Sequence, residues 1–81
     1  MQDLNGRVCL ITGCSAGLGA HFARELSKAG AKIVAGARRK ERVEALAEEI
    51  LAKGRQAIAV SLDVTDEASI ARAFDEAEKA F

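Results

Sequence analysis

Apolar and polar residues in this chain follow two alternating rhythms. Short apolar-rich runs, Val8-Cys9-Leu10-Ile11, then Ala31-Lys32-Ile33-Val34-Ala35, then Gln56-Ala57-Ile58-Ala59-Val60-Ser61-Leu62, have the composition of strands. Between and after them the apolar positions recur at helical spacing. Phe22, Ala23, Leu26 and Ala29 predict one helical face, Val43, Leu46, Ala47 and Ile50 a second, and Ile70, Ala73, Phe74, Ala77 and Phe81 a third. Boundaries follow from the punctuation. Asn5-Gly6 marks a turn before a strand over 7–12, Gly30 stops the first helix near Ala29, and Gly54 stops a second helix spanning 40–53. Thr65 is placed to cap the third helix, with Asp66 and Glu67 in its first turn.

Strictly alternating strands and helices predict βαβ units and a parallel sheet, hence an α/β doubly wound fold. Right-handed crossovers put the first two helices on one face, in spatial strand order 3-2-1, with the third helix on the other face. The pattern ends at Phe81, on the apolar stripe of a helix. The expectation is therefore a single, incomplete dinucleotide-binding domain over 1–81, with a fourth strand due beside the first. A sheet of three strands leaves the first strand as an open edge, which invites pairing with another chain. Self-association of the isolated stretch is expected for that reason.

The candidate chemistry sits where the first strand meets the first helix. Thr12-Gly13-Cys14-Ser15-Ala16-Gly17-Leu18-Gly19 joins an apolar strand directly to a helical pattern. Glycines there let the backbone approach an anion, and the helix start offers unpaired N–H groups at the positive end of its dipole. The spacing is Gly-x-x-x-Gly-x-Gly, unlike the commoner Gly-x-Gly-x-x-Gly fingerprint. It is also unlike the ATPase phosphate loop, because Gly19 is followed by Ala20 and His21 and not by Lys-Ser/Thr. A plain structural turn is the bland alternative; its position between strand and helix favours nucleotide binding.

Composition narrows the partners. The chain has 81 residues, 49% of them hydrophobic, and twelve basic side chains balance twelve acidic ones. That balance, without a basic stripe, argues against a nucleic-acid partner. No apolar run approaches the roughly 18 residues of a membrane span, and the N-terminus lacks a signal-peptide core. Cys9 and Cys14 are too close for a disulfide framework and lack Cys-x-x-Cys spacing, so the chain reads as cytoplasmic and without a metal site. His21, the single histidine, reads as surface or packing rather than as a catalytic group. Ser27 and Ser69 read as exposed helix residues, and Phe74 and Phe81 as core.

TGCSAGLG, a helix ending in KAGAKIV, then ARR, then LDVTD, resembles the N-terminal half of the short-chain dehydrogenase/reductase family, with a Rossmann-like fold. The resemblance covers nearly the whole chain. It implies that Thr12, Gly13, Gly17 and Gly19 belong to the glycine motif. Ser15 and the Leu18 backbone would lie near the adenosine ribose and the diphosphate, with Cys14 inside the same loop. It further implies that Asp63 accepts from the adenine amino group while the Val64 backbone meets the adenine ring. Cys14 and Ala16 stand where alanine and serine are frequent, and Leu18 where isoleucine is common; no glycine is lost.

The implied chemistry is hydride transfer between a nicotinamide cofactor and a small carbonyl or alcohol substrate. The family's Tyr-x-x-x-Lys pair, serine and asparagine all belong further along, and these residues contain no tyrosine. This stretch alone is therefore expected to show no turnover. A non-catalytic dinucleotide-binding or interaction module is the alternative. A methyltransferase with a related sheet fits less well, since it would usually want an acidic residue after the second strand. The same position bears on cofactor choice. An acid there binds the ribose hydroxyls of NAD, whereas Ala37-Arg38-Arg39 offers guanidiniums suited to a 2′-phosphate. The expectation is NADP rather than NAD, with Arg38 and Arg39 as its ligands. Two arginines at a helix start oppose the dipole, which a purely structural role would not favour.

Overall fold

The computed structural model describes residues 4–13 and 17–81. Six elements follow in strict alternation: β1 (Val8–Thr12), α1 (Gly17–Lys28), β2 (Lys32–Ala37), α2 (Glu41–Ala52), β3 (Ala57–Ser61) and α3 (Glu67–Ala80). The strands form one parallel sheet in the order β1-β2-β3. The expected 3-2-1 is the same row read from its other edge. Val8 to Thr12 pair with Lys32 to Gly36, and Ile33 to Ala37 pair with Ala57 to Ser61.

β2 lies in the middle and shows no polar alternation, because both its faces are covered. Ile33, Val34 and Ala35 are all fully buried. Ile33 and Ala35 point into a core shared with α1 and α2, while Val34 joins Val60, Leu62 and Ala73 on the α3 side. The first two helices thus cover one face and α3 the other, as right-handed crossovers require.

α2 buries the expected face, Val43, Leu46, Ala47 and Ile50. α1 does not. Its buried residues are Ala20, Ala23 and Ser27, and Phe22 is 51% exposed. The stripe is rotated toward small residues, which let the helix lie close to the sheet. Ser27 is buried, contrary to its reading as exposed; its hydroxyl donates to the Arg24 carbonyl at 2.7 Å, so the polar group is satisfied locally. Gly30 (φ 100°) ends α1 in the left-handed region, the position where glycine is needed.

α3 brings three further corrections. Its cap is Asp66, whose carboxylate accepts from the Ala68 N–H at 3.0 Å, and not Thr65. Ser69 is buried, at 5% exposure, where an exposed residue was expected. Phe74 is 53% exposed and is no core residue, although Phe81 packs at the margin of the α3-side core.

Candidate functional site

The C-terminal ends of the three strands open into a cleft of about 630 Å³. Its floor is Thr12 and Gly13 from β1, Gly36 and Ala37 from β2, and Leu62 after β3. Arg38, Arg39, Arg42 and Val64 form the rim. Parallel sheets place ligands at this end, where successive loops diverge.

Gly36 shapes the floor. A Cβ there would sit 2.9 Å from Leu62 Cδ2 and 3.2 Å from Leu62 Cβ, so Leu62 folds over β2 only because position 36 has no side chain. Gly13 (φ 68°) and Gly17 (φ 63°) hold the left-handed backbone on either side of the loop that turns β1 into α1. α1 begins at Gly17, which makes Gly17, Leu18 and Gly19 its first turn, the amides a helix leaves without internal partners. These three residues stand in the helix start and do not line the 630 Å³ cleft, whereas Gly13 does. Cys14 and Ser15 lie outside the described residues.

The β3–α3 loop is held by side chains. The Leu62 N–H makes the last sheet bond, to the Ala37 carbonyl at 2.8 Å. The Asp63 N–H then donates to Ser69 Oγ at 2.9 Å. Thr65 donates twice to Asp63 Oδ1, from its N–H at 3.0 Å and its hydroxyl at 2.7 Å. The Asp66 N–H closes the turn onto the Asp63 carbonyl at 3.0 Å. Among the described residues, no acceptor takes the Val64 N–H and no donor reaches Asp63 Oδ2. The Thr65 hydroxyl and then its N–H hold the Asp63 carboxyl below the usual carboxylate range; desolvation opposes them, and the Arg38 charge adds a smaller lowering.

Arg38 Nε lies 3.8 Å from Asp63 Oδ1, across the cleft mouth, with three quarters of the arginine side chain in solvent. Ser61 Oγ donates to the Arg38 carbonyl at 3.2 Å and so fixes that backbone from β3. Arg39 and Arg42 are exposed and make no ion pair among the described residues. Three guanidiniums therefore line the rim, Asp63 pairs with one of them, and the rim carries a net positive charge.

The family model for short chain dehydrogenase matches residues 7–81. The chain belongs to the short-chain dehydrogenase/reductase family. It is 46% identical over 77 residues to a short-chain dehydrogenase/reductase of Pestalotiopsis microspora, covering 94% of this chain and 29% of the relative. It is 44% identical over 78 residues to a 2,5-dichloro-2,5-cyclohexadiene-1,4-diol dehydrogenase of Sphingobium indicum, covering 96% of this chain and 31% of that one. A crystal structure of a short-chain type dehydrogenase/reductase from Mycobacterium marinum superposes with TM-score 0.85 at 34% identity, over 91% of this chain and 29% of that one. The chain thus spans about three tenths of the length of these short-chain dehydrogenase/reductase relatives.

Gly13, Arg38, Arg39 and Val64, singled out from sequence, meet in the cleft, and Asp63 reaches it through its pair with Arg38. Sequence reasoning missed Arg42, which the first turn of α2 brings to the same rim. It also missed the bracing by Thr65 and Ser69. The spacing Asp63–Thr65–Ser69 held the signal, because a strand-to-helix loop must find partners for the first amides beyond the sheet.

Proposed function

We propose that this chain is the cofactor-binding part of an NADP(H)-dependent oxidoreductase acting between the nicotinamide and a small carbonyl or alcohol substrate. The observation that carries this reading is the rim itself. Arg38, Arg39 and Arg42 line one cleft at the strand ends, with no carboxylate at the end of β2. A 2′-phosphate adds roughly two negative charges, which planar guanidinium donors can bind at more than one oxygen.

The adenine end fits as well. Adenine presents a donor (its amino group) beside an acceptor (N1) on one edge. Asp63 Oδ2 and the Val64 N–H, both unengaged among the described residues, form the complementary acceptor and donor. The left-handed Gly13 and Gly17 backbone, followed by the α1 N-terminus, suits a diphosphate. The bound nicotinamide supplies the hydride chemistry, while the residues of this chain hold and orient the adenosine and diphosphate. With no tyrosine among the 81 residues, they offer no counterpart to the family's acid–base pair, and the stretch by itself is expected to bind without turnover.

The test is the ratio of dissociation constants for NADPH and NADH in the natural protein carrying this sequence, at low and at physiological salt. One charge-assisted contact on a solvated rim corresponds to a preference of roughly 5- to 30-fold for the phosphorylated cofactor. Arg38→Ala should remove most of it, and Ala37→Asp with Arg38→Ala should reverse it. Equal affinities that Arg38→Ala leaves unchanged would make Arg38 an ordinary surface residue and the cofactor assignment wrong.

A further inference from the structure

Ser69 is a buried hydroxyl in a helix and is not among the residues proposed to touch the phosphates or the adenine. A serine there is worse for helix formation than alanine, and a buried hydroxyl must find a partner. Ser69 finds one outside its own helix. Its Oγ accepts from the Asp63 N–H at 2.9 Å, reaching back six residues to the far side of the loop.

The position of that bond explains its purpose. Ser61 is the last β3 residue in register with β2, and the Leu62 N–H makes the last bond to it. The next amide, that of Asp63, leaves the sheet with no strand partner. Ser69 takes it from the first turn of α3, whose own start is already capped by Asp66. The loop is thus pinned at both ends of the Asp63–Asp66 turn. Between the pins stand Asp63 Oδ2 and the Val64 N–H, the two atoms without partners among the described residues.

We infer that Ser69 is a positioning residue for adenine recognition: its hydroxyl ties the Asp63 amide to α3 and thereby holds the Asp63 carboxylate and the Val64 N–H as one acceptor–donor pair. This rests on the proposed adenine contacts of Asp63 and Val64. It is separate from the arginine rim, so the two should come apart in measurement. Without the hydroxyl, the Asp63 amide must turn toward solvent, and the peptide joining it to Val64 turns with it.

The experiment uses the natural protein with Ser69→Ala, Ser69→Cys, Ser69→Thr and Asp63→Ala. The probes are 5′-AMP and 2′,5′-ADP, titrated against each variant, with amide hydrogen exchange read at Asp63 and at Ala73 in the unliganded protein. Ser69→Ala should weaken both nucleotides by the same factor, roughly 5- to 30-fold. Their affinity ratio, set by Arg38, should stay constant. Exchange at Asp63 should accelerate while Ala73 in the α3 core stays protected. Ser69→Cys, nearly isosteric with a weak acceptor, should lose affinity in the same direction even if the alanine variant folds poorly. Ser69→Thr, which keeps the oxygen, should restore binding. Unchanged nucleotide affinity in Ser69→Ala or Ser69→Cys, or lost protection at Ala73 in step with Asp63, would overturn the inference. If Asp63→Ala also leaves 5′-AMP affinity unchanged, the adenine reading itself has failed. If Asp63→Ala weakens binding and Ser69→Ala does not, only the role of Ser69 has failed.

Discussion

The two faces of the sheet are built to different standards of closure. On one, α1 and α2 press Ala23, Val43, Leu46, Ala47 and Ile50 onto Ile33 and Ala35, and every one of these side chains is buried. On the other, α3 covers β2 and β3 but leaves β1 short of cover. Val8, Leu10, Val34, Phe74, Ala77 and Phe81 line an apolar groove there, with Val8 and Phe74 about half in solvent. The difference is topological. Two crossover helices lie against one face of a three-stranded sheet, and a single one lies against the other. The stability of the isolated fold should therefore sit on the α1–α2 side, while the loop leading to the open side carries the proposed adenine contacts.

The comparison can be broken most directly by truncating one side chain on each face. Ile33→Ala removes a fully buried side chain, and a loss of about 2–5 kcal/mol is expected in denaturant unfolding. Phe74→Ala should cost under about 1 kcal/mol, as for other surface substitutions. Equal losses at the two positions would show that the α3 face is covered in solution.

Gly36→Ala sharpens the picture by pressing on the less covered face from within. The new Cβ would meet Leu62 at 2.9–3.2 Å, and overpacking of this kind costs about 1–3 kcal/mol. Because Leu62 precedes Asp63, the same substitution should weaken adenine-nucleotide binding, which titration with 5′-AMP would read. A stability loss with unaltered binding would mean that the floor and the β3–α3 loop move independently.

The smallest effect belongs to the rim of the well-closed face. Arg24 bridges α1 to α2 with two bonds to Glu49, at 2.7 and 3.3 Å, and Lys53 stands 3.8 Å from the same carboxylate. The hydrogen bond from Arg24 holds the Glu49 carboxyl below the usual range, desolvation works against it, and the Arg24 and Lys53 charges add to the lowering. A depressed native value means the contribution is present above the ordinary glutamate pKa and disappears as pH falls through the native one. Glu49→Gln should therefore bring wild type and variant closer together in thermal midpoint in acid than at neutral pH, by an amount small enough to need paired melts.

Most of the architecture was legible because period and punctuation agree. β1, β2 and β3 are apolar runs, the first ended by glycine, the second by an arginine pair and the third by an acidic turn, and α2 shows its buried face without ambiguity. Gly13, the Arg38-Arg39 pair and Asp63-Val64 pointed to the candidate cleft for the same reason, since each follows the end of a strand. The α1 and α3 faces were read less well. Phe22 and Phe74 are large and apolar and so drew the predicted stripe, yet the sheet accepted Ala20, Ser27 and Ser69 instead.

What the sequence determined by itself, then, is the alternation of strand and helix, the parallel sheet and the family. Those depend on local period and on turn chemistry, which neighbouring residues set together. Tertiary structure alone decided which helical stripe faces the sheet, because a helix rotates to the residues its contact distance allows, and close approach favours small ones. It also decided that Arg42 joins Arg38 and Arg39 on one rim, that Leu62 closes over Gly36, and that Ser69 reaches back to Asp63. Each is a meeting of residues from different elements, or from opposite ends of a loop, and the packed geometry that brings them together appears in no window of the chain.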